Sequence, residues 1–458
     1  MKINKFLASF LAASIILASC SKKNDDDNSN TQSGTVNLKN GDVITGNYSG
    51  KVILEEGTYT LKGYVYIENG GSITIPAGTV IKSDITRKGA LIIERGAKIM
   101  AEGSANKPIV FTSGKAVGSR NPGDWGGIII LGKAKTNRSS EPLIEGGVNS
   151  YYGGTDDADN SGIMRYVRIE FAGIAAAPGS EINGLTLGAV GSGTTLEYIQ
   201  VVYGNDDAFE FFGGTVNAKY LIAYASADDD FDFDFGYTGK IQFGVSLRDP
   251  LWVDGGDAGN GIECDNDGSG TTATPLTRPV LTNFTFVGPN NATGTAANHN
   301  FANRFRRNTR FVLNNSVLIG WQKGGLSLES NGTYEDFVSS SSSSEFKNNL
   351  VHAVTATFKL GSDVTTVGAS ATAIQTKATT NGSVLLANAA DAMLTTPFNL
   401  SAPSFLPATG SSALTGAAFA GDLSNSFFTS VAYKGAFGTT NWMSGWTSFS
   451  FTKGVNGY

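Results

Sequence analysis

The chain has 458 residues, of which 58 are glycine, 16% are charged and two are cysteine. Its net charge of −6 argues against nucleic acid as a partner, because neutralising phosphates requires a basic surface. Many turn residues and few charged residues favour an all-β protein with a large packed core.

The N-terminus predicts a lipoprotein signal peptide over residues 1–19. Two lysines precede an apolar run that ends at Leu17 and is too short to span a bilayer. The next residues complete the sequence LASC, which matches the bacterial lipobox, so we predict that Cys20 is lipidated and begins the mature protein. Two or more acyl chains on Cys20 would give a stable anchor. Only Cys264 then remains, which excludes an intramolecular disulfide.

Residues 20–34 are predicted to form a flexible tether. After Cys20 the segment has no apolar residue, and its charge changes from Lys22-Lys23 to Asp25-Asp26-Asp27. A basic-then-acidic run behind a lipidated cysteine resembles the signal that directs lipoproteins of Bacteroidota to the outer face of the outer membrane. A plain soluble linker is the alternative interpretation.

From residue 35 onward, short β-rich runs alternate with glycine, asparagine and aspartate, as expected for strands and turns. Apolar residues alternate in Tyr64–Ile67, which predicts a strand buried on one face only. The runs Leu91–Ile93 and Ile128–Leu131 are continuously apolar, which predicts that both faces of those strands are covered.

Three segments align as successive repeats: Arg165–Phe171, Glu197–Tyr203 and Lys219–Ala225. Their spacing fits coils of about 22 residues with occasional insertions, which is typical of a parallel β-helix because insertions are extruded at turns while strands stay stacked. We therefore predict a right-handed parallel β-helix over residues 35–352. Further coils are predicted at Pro279–Val287, Arg310–Ile319, Gly325–Leu328 and Phe346–Val351.

The clearest repeat places Gly204–Phe211 on Ser226–Phe233, so that aromatic residues fall on aromatic residues and acids on acids. In the run Asp230–Phe235 the period of two predicts that the three phenylalanines point inward and the three aspartates outward. A further offset of 22 residues suggests that Asp254 extends the acidic column.

The acids of this repeat are the candidate ligands of a calcium ion, because hard cations take several carboxylate and carbonyl oxygens. The alternative is a solvated acidic face that keeps strands from associating edge to edge. Carboxylate pairs at glycosidase distances are a weaker possibility, since a row of acids meets such distances by accident. The candidate metal ligands are Asp206, Asp207, Glu210, Asp228, Asp229 and Asp232.

Two other groups are candidates for ligand binding. Arg304, Arg306 and Arg307, with Arg310 close by, could bind carboxylates or sulfates bidentately, although pairing with acids of neighbouring coils is the preferred interpretation. Trp252, close to the acidic column, is a candidate for stacking on a sugar ring. Neither of the two histidines lies in a zinc motif or a recognisable triad.

Residues 353–458 are predicted to form final irregular coils and a C-terminal cap, with NWMSGWTSF folding back on the end of the solenoid.

Four motifs carry a family resemblance: DWGGIIILG, NDDAFEFFGGTV, DDDFDFDFGYTGKIQFG and AYKGAFGTTNWMSGWTSF. They resemble uncharacterised Bacteroidota outer-membrane lipoproteins with a pectate-lyase-like β-helix. Polysaccharide lyases of this fold use calcium and a lysine or arginine base. If the resemblance extends to activity, it implies that Lys240 and Arg248, just beyond the acidic repeat, are the candidate catalytic residues. Fold alone does not assign chemistry.

We therefore expect a surface lipoprotein whose role is non-catalytic binding, either for glycan capture or within a TonB-dependent uptake complex. A calcium-dependent polysaccharide lyase, or a related carbohydrate enzyme, is the alternative.

Overall fold

The structure is a computed structural model that describes residues 31–177, 180–256 and 258–458. The predicted signal peptide, Cys20 and most of the tether lie outside these ranges. Within the described residues, no helix is both long and apolar enough to cross a membrane.

Short strands dominate the N-terminal part of the chain, and two of them form a small hairpin. These strands are β1 (Thr35–Leu38), β2 (Val43–Tyr48), β3 (Lys51–Leu54), β4 (Thr58–Ile67), β5 (Ser72–Pro76), β6 (Val80–Ser83), β7 (Ala90–Ile93), β8 (Lys98–Glu102), β9 (Ile109–Thr112), β10 (Gly127–Leu131), β11 (Gly162–Glu170), and the hairpin β12 (Ala175–Ala177) and β13 (Ser180–Glu181).

The middle of the chain continues the same pattern. Its strands are β14 (Leu185–Gly188), β15 (Thr195–Val202), β16 (Phe209–Phe212), β17 (Asn217–Tyr224), β18 (Phe231–Asp234), β19 (Lys240–Leu247), β20 (Glu263–Cys264), β21 (Val280–Thr282), β22 (Thr285–Val287), β23 (Phe301–Phe305), β24 (Val312–Asn314), β25 (Val317–Trp321) and β26 (Gly324–Leu328).

Among the residues that the structure describes, helices first appear near the C-terminal end. The remaining elements are α1 (Asn331–Val338), β27 (Glu345–Lys347), β28 (Leu350–Ala353), β29 (Phe358–Leu360), α2 (Ala371–Thr380), β30 (Val384–Leu385), β31 (Leu394–Thr396) and β32 (Ser404–Pro407), with three short 3-10 turns, Ala389–Ala392, Ser412–Leu414 and Gly421–Ser424.

In the described part of the chain, 28 of these strands form one parallel system, which winds into a right-handed β-helix with three walls. Wall 1 contains β3, β5, β8, β21, β24 and β27. Wall 2 contains β6, β9, β22, β25 and β28, and the long strands β11, β15, β17 and β19 bend from wall 1 into wall 2. Wall 3 contains β7, β10, β14, β16, β18, β20, β23, β26 and β29. The predicted fold is therefore confirmed.

The corner between walls 1 and 2 is made by one residue per coil in the left-handed backbone region. This column begins with Tyr166, Tyr198 and Tyr220, whose φ angles are 52°, 55° and 60°. Bulky residues rarely adopt this conformation, and here parallel stacking at 4.4 Å and 4.3 Å between ring centres supports it. In later coils the column continues with asparagine, which tolerates the left-handed region, at Asn283, Asn315 and Asn348.

The apolar patterns of the sequence match the burial. Val65 and Ile67 are buried in the alternating strand β4, while Tyr64 and Tyr66 are half-buried. The continuous strands β7 and β10 are buried on both faces, as predicted. A long insertion covers their outer face and packs Ile144, Val148 and Tyr152 against wall 3.

The C-terminal segment differs from the prediction. The end of the solenoid is closed by α2, whose Ile374 and Ala378 lie in the main core. Residues 386–458 instead form a strap along the outside of walls 1 and 2, where Leu423 and Phe428 pack against Val280 and Val312 of wall 1. The sequence NWMSGWTSF does not close the end, since the Ser448 carbonyl accepts a hydrogen bond from Gln200 at 2.9 Å and Trp446 packs against Tyr198 in the middle of the solenoid.

Candidate functional site

The repeat around Phe209 and Phe231 stacks in the predicted register. Phe209 pairs with Phe231, Phe211 with Phe233, and Glu210 with Asp232 on neighbouring strands. The inward rings stack with centres 5.2 Å and 5.0 Å apart. Because side chains alternate along a strand, this register fixes Glu210 and Asp232 side by side on the outer face of wall 3.

The run Asp230–Phe235 departs from strict alternation at both ends. Asp230 is completely buried, where it pairs with Arg248 at 3.0 Å and accepts a hydrogen bond from the Ser246 hydroxyl at 2.5 Å. Phe235 lies at a corner with φ of 50° and is half-buried, with the Arg138 guanidinium 4.5 Å from its ring centre. The prediction of three inward phenylalanines and three outward aspartates is wrong for these two residues because the strand covers only Phe231–Asp234.

Two groups of three carboxylates meet where the chain enters wall 3. Oxygens of Asp206, Asp207 and Asp228 all lie within 4.8 Å of one another, and the same holds for Asp207, Glu210 and Asp232. We call these the upper and lower triads. Asp207 belongs to both, so the two triads form one continuous acidic site.

Backbone and amide groups hold the triads in place. The Asp229 amide donates to Asp207 Oδ1 at 2.8 Å, and the Asn260 amide donates to Asp229 Oδ1 at 2.5 Å. The Asn183 side chain donates to Glu210 and to Glu145 Oε1, the latter at 3.1 Å. By contrast, Asp232 Oδ1 is buried and, among the described residues, no hydrogen-bond donor reaches it.

The electrostatics of the site favour protons or cations. Burial raises the pKa of Asp207, Glu210 and Asp232 well above the usual range of a carboxyl group, and the neighbouring carboxylates raise these pKa values further. The pKa of Asp206 and Asp229 rises for the same reasons. Removing protons near neutral pH therefore leaves uncompensated negative charge unless a cation takes their place.

The chemistry of the triads fits a hard divalent cation such as Ca²⁺. All ligand atoms are carboxylate oxygens, which calcium prefers, and nitrogen or sulfur ligands that select transition metals do not contribute to either triad. The unpaired oxygen of Asp232 is the kind of atom that a bound cation satisfies. Asp206, Asp207, Glu210, Asp228 and Asp232 are thus brought together, whereas Asp229 is turned into a hydrogen bond with Asn260.

A cleft of about 570 Å³ opens beside the upper triad. Its lining residues include Glu181, Asn205, Asp206, Asp228, Trp252 and Asp254. The Trp252 indole donates to the Gly204 carbonyl at 3.2 Å, and the Asp254 amide donates to the Ala227 carbonyl at 2.7 Å. The structure therefore places Trp252 next to the acidic site, as the sequence suggested, in a cleft of the size that binds small ligands.

The acidic column continues through Glu263, which the sequence did not suggest. Asp232 pairs with Glu263 on the next strand, while Asp254 lies in the loop that lines the cleft. An insertion lengthens this coil, so the offset of 22 residues fails and the prediction for Asp254 is wrong. Burial and neighbouring acids raise the pKa of Glu263 to about 8.

The predicted arginine cluster ends this column by neutralising it. Arg304 pairs with Glu263 and with Glu329, each at 3.0 Å. Arg306 pairs with Glu263 and, at 2.9 Å, with Asp265.

The other two arginines of the cluster are also paired. Arg307 contacts Asp265 at 2.6 Å, and Arg310 contacts Asp336 at 3.2 Å. These contacts match the preferred interpretation, pairing between coils, and speak against a free anion site at Arg304, Arg306 and Arg307.

Arg248 and Lys240 do not face the triads. The Arg248 side chain is fully buried, pairs with Asp230 and donates to the Asp228 carbonyl at 2.6 Å. Lys240 starts β19 on wall 1, pairs in register with Val280, and forms no salt bridge with a described carboxylate. The expectation that these residues act as bases beside the acidic site is therefore corrected, since neither lines the cleft.

Glu145 and Asn183 are further site residues that sequence analysis missed. Glu145 belongs to the insertion covering wall 3, and Asn183 precedes β14. The Asn183 side chain donates hydrogen bonds to both Glu210 and Glu145 and so links them. Neither falls on the 22-residue repeat, so no periodic signal pointed to them.

Comparison with known proteins identifies the fold family. The family described as "Pectate-lyase like beta helix domain" matches residues 46–399. The chain belongs to this family.

Among solved structures, the chain is similar to the one titled "Crystal structure of pectate lyase Pel9A", with a TM-score of 0.37 and 12% identity over 90% of this chain and 97% of that chain. No curated protein matches the sequence.

Proposed function

We propose that the protein is a calcium-dependent glycan-binding protein whose binding face is the acidic cleft on wall 3. The observation that carries the proposal is the pair of carboxylate triads sharing Asp207, with the unpaired oxygen of Asp232 among them. A row of carboxylates repels an acidic sugar. Bound calcium would supply the positive charge that attracts the sugar's carboxylate. Trp252 lines the same cleft and offers an aromatic ring for stacking on the sugar.

Binding without catalysis is favoured by the placement of the basic residues. A lyase needs a base that reaches the substrate, and Arg248 is buried against Asp230 while Lys240 lies on wall 1. Arg304 and Arg306 lie nearer the acidic column but are held by Glu263, Glu329 and Asp265. A calcium-dependent lyase is the second candidate, because the family is named for pectate lyases.

We place the protein on the outer membrane, held by lipid on Cys20 and facing outward. The support is sequence alone: the lipobox, the tether of residues 20–34 and the resemblance to Bacteroidota surface lipoproteins. In that setting a glycan-binding face would serve capture, either alone or beside a TonB-dependent transporter.

A polysaccharide array probed with and without calcium tests the binding proposal. We expect retention of uronate-bearing polysaccharides that EDTA and Asp207→Asn each weaken. Absorbance of unsaturated uronate products should stay at the level of a protein-free control. Product formation would establish the lyase instead, and calcium-independent retention of every polysaccharide would overturn the role of the triads.

Cell fractionation tests the location. Cys20→Ser should move the protein from the membrane fraction to the soluble fraction, and protease added to intact cells should degrade the wild-type protein. A pull-down from native outer membranes then identifies a transporter partner; recovery of the protein alone would argue for independent capture.

A further inference from the structure

A second cavity lies on the N-terminal coils of wall 3, separate from the acidic cleft. Its volume is about 330 Å³, within the range of ligand-binding pockets. The cavity is lined by Asn69, Glu94, Arg95, Lys133, Asn149, Ser150 and Tyr151. The first four follow β7 and β10 of wall 3 and β4, whose last residues pair with β7. The last three come from the insertion that covers the wall.

The insertion presents Tyr151 on a well-fixed segment. Its neighbours Ser150 and Tyr152 are buried, and the Ile144 amide donates to the Ser150 carbonyl at 2.9 Å. The Ser150 hydroxyl donates to Glu94 Oε1 at 2.8 Å. Tyr151 itself remains 53% exposed, so an aromatic ring is held at the cavity rim with its surface open to a ligand.

The polar lining offers both hydrogen-bond donors and acceptors. Arg95 is already committed to Glu141 at 2.8 Å and to the Gly153 carbonyl at 2.9 Å. Lys133 is half-buried, and no carboxylate of the described residues lies within salt-bridge distance of its ammonium. Its three N–H groups are therefore available to a ligand, and Glu94 provides acceptor oxygens on the other side.

Gly96 leaves room for two of the lining side chains, Asn69 and Lys133. Its φ is +82°, and a Cβ there would lie 2.2 Å from Asn69 Oδ1 and 2.8 Å from Lys133 Nζ. The amide of Asn69 and the ammonium of Lys133 thus converge over a residue without a side chain.

We propose that this cavity is a second sugar-binding subsite, which takes a hydroxyl-rich pyranose ring stacked on Tyr151 and hydrogen-bonded by Lys133, Glu94 and Asn69. It requires no cation, because its charged groups already include both signs. The inference rests on the proposed glycan-binding function and extends it to a second contact.

The two sites lie at opposite edges of one wall, since the upper triad precedes β16 and β18 whereas the subsite residues follow the strands. β10, beside the subsite, is separated from β16, which carries Glu210, by β14 alone. Two coil steps correspond to about 10 Å along the axis. A polysaccharide that crosses wall 3 obliquely from the upper triad to the subsite would engage both sites, and linked contacts raise overall affinity beyond that of either site.

The test compares binding to immobilised polygalacturonate, xylan and β-glucan in EDTA, where the triads are without calcium. We expect at least one of these polysaccharides to be retained by the wild type in EDTA, and Tyr151→Ala and Lys133→Met each to weaken that binding by tenfold or more. Lys135→Met is the matched control: it removes the same charge two residues away, where Lys135 is exposed and paired with Asp157. Its affinity should equal that of the wild type.

Circular dichroism and melting of each variant separate lost binding from lost folding. Absence of retention for all three polysaccharides in EDTA overturns the subsite, and so does full retention by the folded Tyr151→Ala and Lys133→Met variants. Failure of the calcium proposal looks different: EDTA and Asp207→Asn would then leave affinity unchanged while Tyr151→Ala still reduced it.

Discussion

Asp207 accepts a hydrogen bond at 2.8 Å from the backbone amide of Asp229, the residue that stacks on it one coil later. The contact fixes Asp207 Oδ1 in the turn before wall 3. The Asp207 carboxyl group is then held where it belongs to both triads. A hydrogen bond between successive coils thus positions the Asp207 carboxyl group, which the two triads share.

Asp207→Asn should change stability in opposite directions with and without calcium. Asparagine keeps the oxygen that accepts from Asp229 but removes one of several crowded negative charges, so the melting temperature in EDTA should rise. Calcium at a hundred times its dissociation constant should stabilise the wild type by about 2.7 kcal/mol, and this gain should be lost in the variant. Thermal melting in EDTA and in calcium measures both effects.

Glu55→Gln provides the control for that experiment. Glu55 is exposed on the N-terminal coils, away from the triads, so its substitution should leave the calcium response intact. A wild-type melting temperature that calcium does not change would remove the cation site.

Stability in EDTA should fall as the pH rises from about 6.5 to 8.5. Glu263, whose pKa is raised to about 8, and the triad carboxyls bind protons in the folded state that the unfolded chain has already released. The folded state therefore holds more protons, so its stability is lost as pH increases through the folded pKa values. His299, with its pKa lowered to about 3, is neutral in both states over most of this window and contributes little.

Calcium should flatten this pH dependence, because the cation replaces the protons in compensating the carboxylates. Melting curves across the window, with calcium and with EDTA, give the comparison. A melting temperature in EDTA that rises with pH would show that the acids are compensated by another group.

The sequence predicted the register of wall 3 because the repeat preserves both the period of two and the offset between coils. Phe209 on Phe231 and Glu210 on Asp232 followed directly from that offset. Glu263 could not be found in the same way, since a long loop intervenes before the next strand and the alignment breaks there.

The roles of Arg248 and Asp230 depend on contacts that no local pattern encodes. The two residues are 18 positions apart. Asp230 directly precedes β18, Arg248 directly follows β19, and both side chains are buried. A sequence position beside an acidic run therefore suggested a catalytic arginine, whereas the fold uses its charge to neutralise a buried aspartate.

Arg248→Met should destabilise the fold strongly, because it leaves Asp230 buried without its partner. Breaking a buried pair from one side costs about 3 to 5 kcal/mol. The double variant Arg248→Met with Asp230→Asn should recover part of that loss, since it removes the uncompensated charge as well. Urea unfolding of both variants measures the difference; equal stability of single variant and wild type would contradict the structural role assigned to Arg248.

Trp446→Ala should show that the C-terminal strap is part of the folded core rather than a loose appendage. Trp446 is completely buried, lies edge-on to Tyr166 and Tyr198 with ring centres 5.8 Å and 6.0 Å away, and donates its indole N–H to the Trp442 carbonyl at 2.8 Å. Truncation of a buried tryptophan typically costs about 3 to 5 kcal/mol. The loss should also expose wall 2 to proteases, since the strap covers apolar residues there.

Val367→Ala is the matched control, because Val367 is fully exposed and its truncation removes no buried contact. Limited proteolysis of the two variants should cut the strap of Trp446→Ala early and leave that of Val367→Ala as resistant as the wild type. If both variants resist equally, the strap is held by its other contacts with the solenoid, such as the hydrogen bond that the Gln242 side-chain amide donates to the Thr429 carbonyl at 2.7 Å, and the tryptophan contributes only locally.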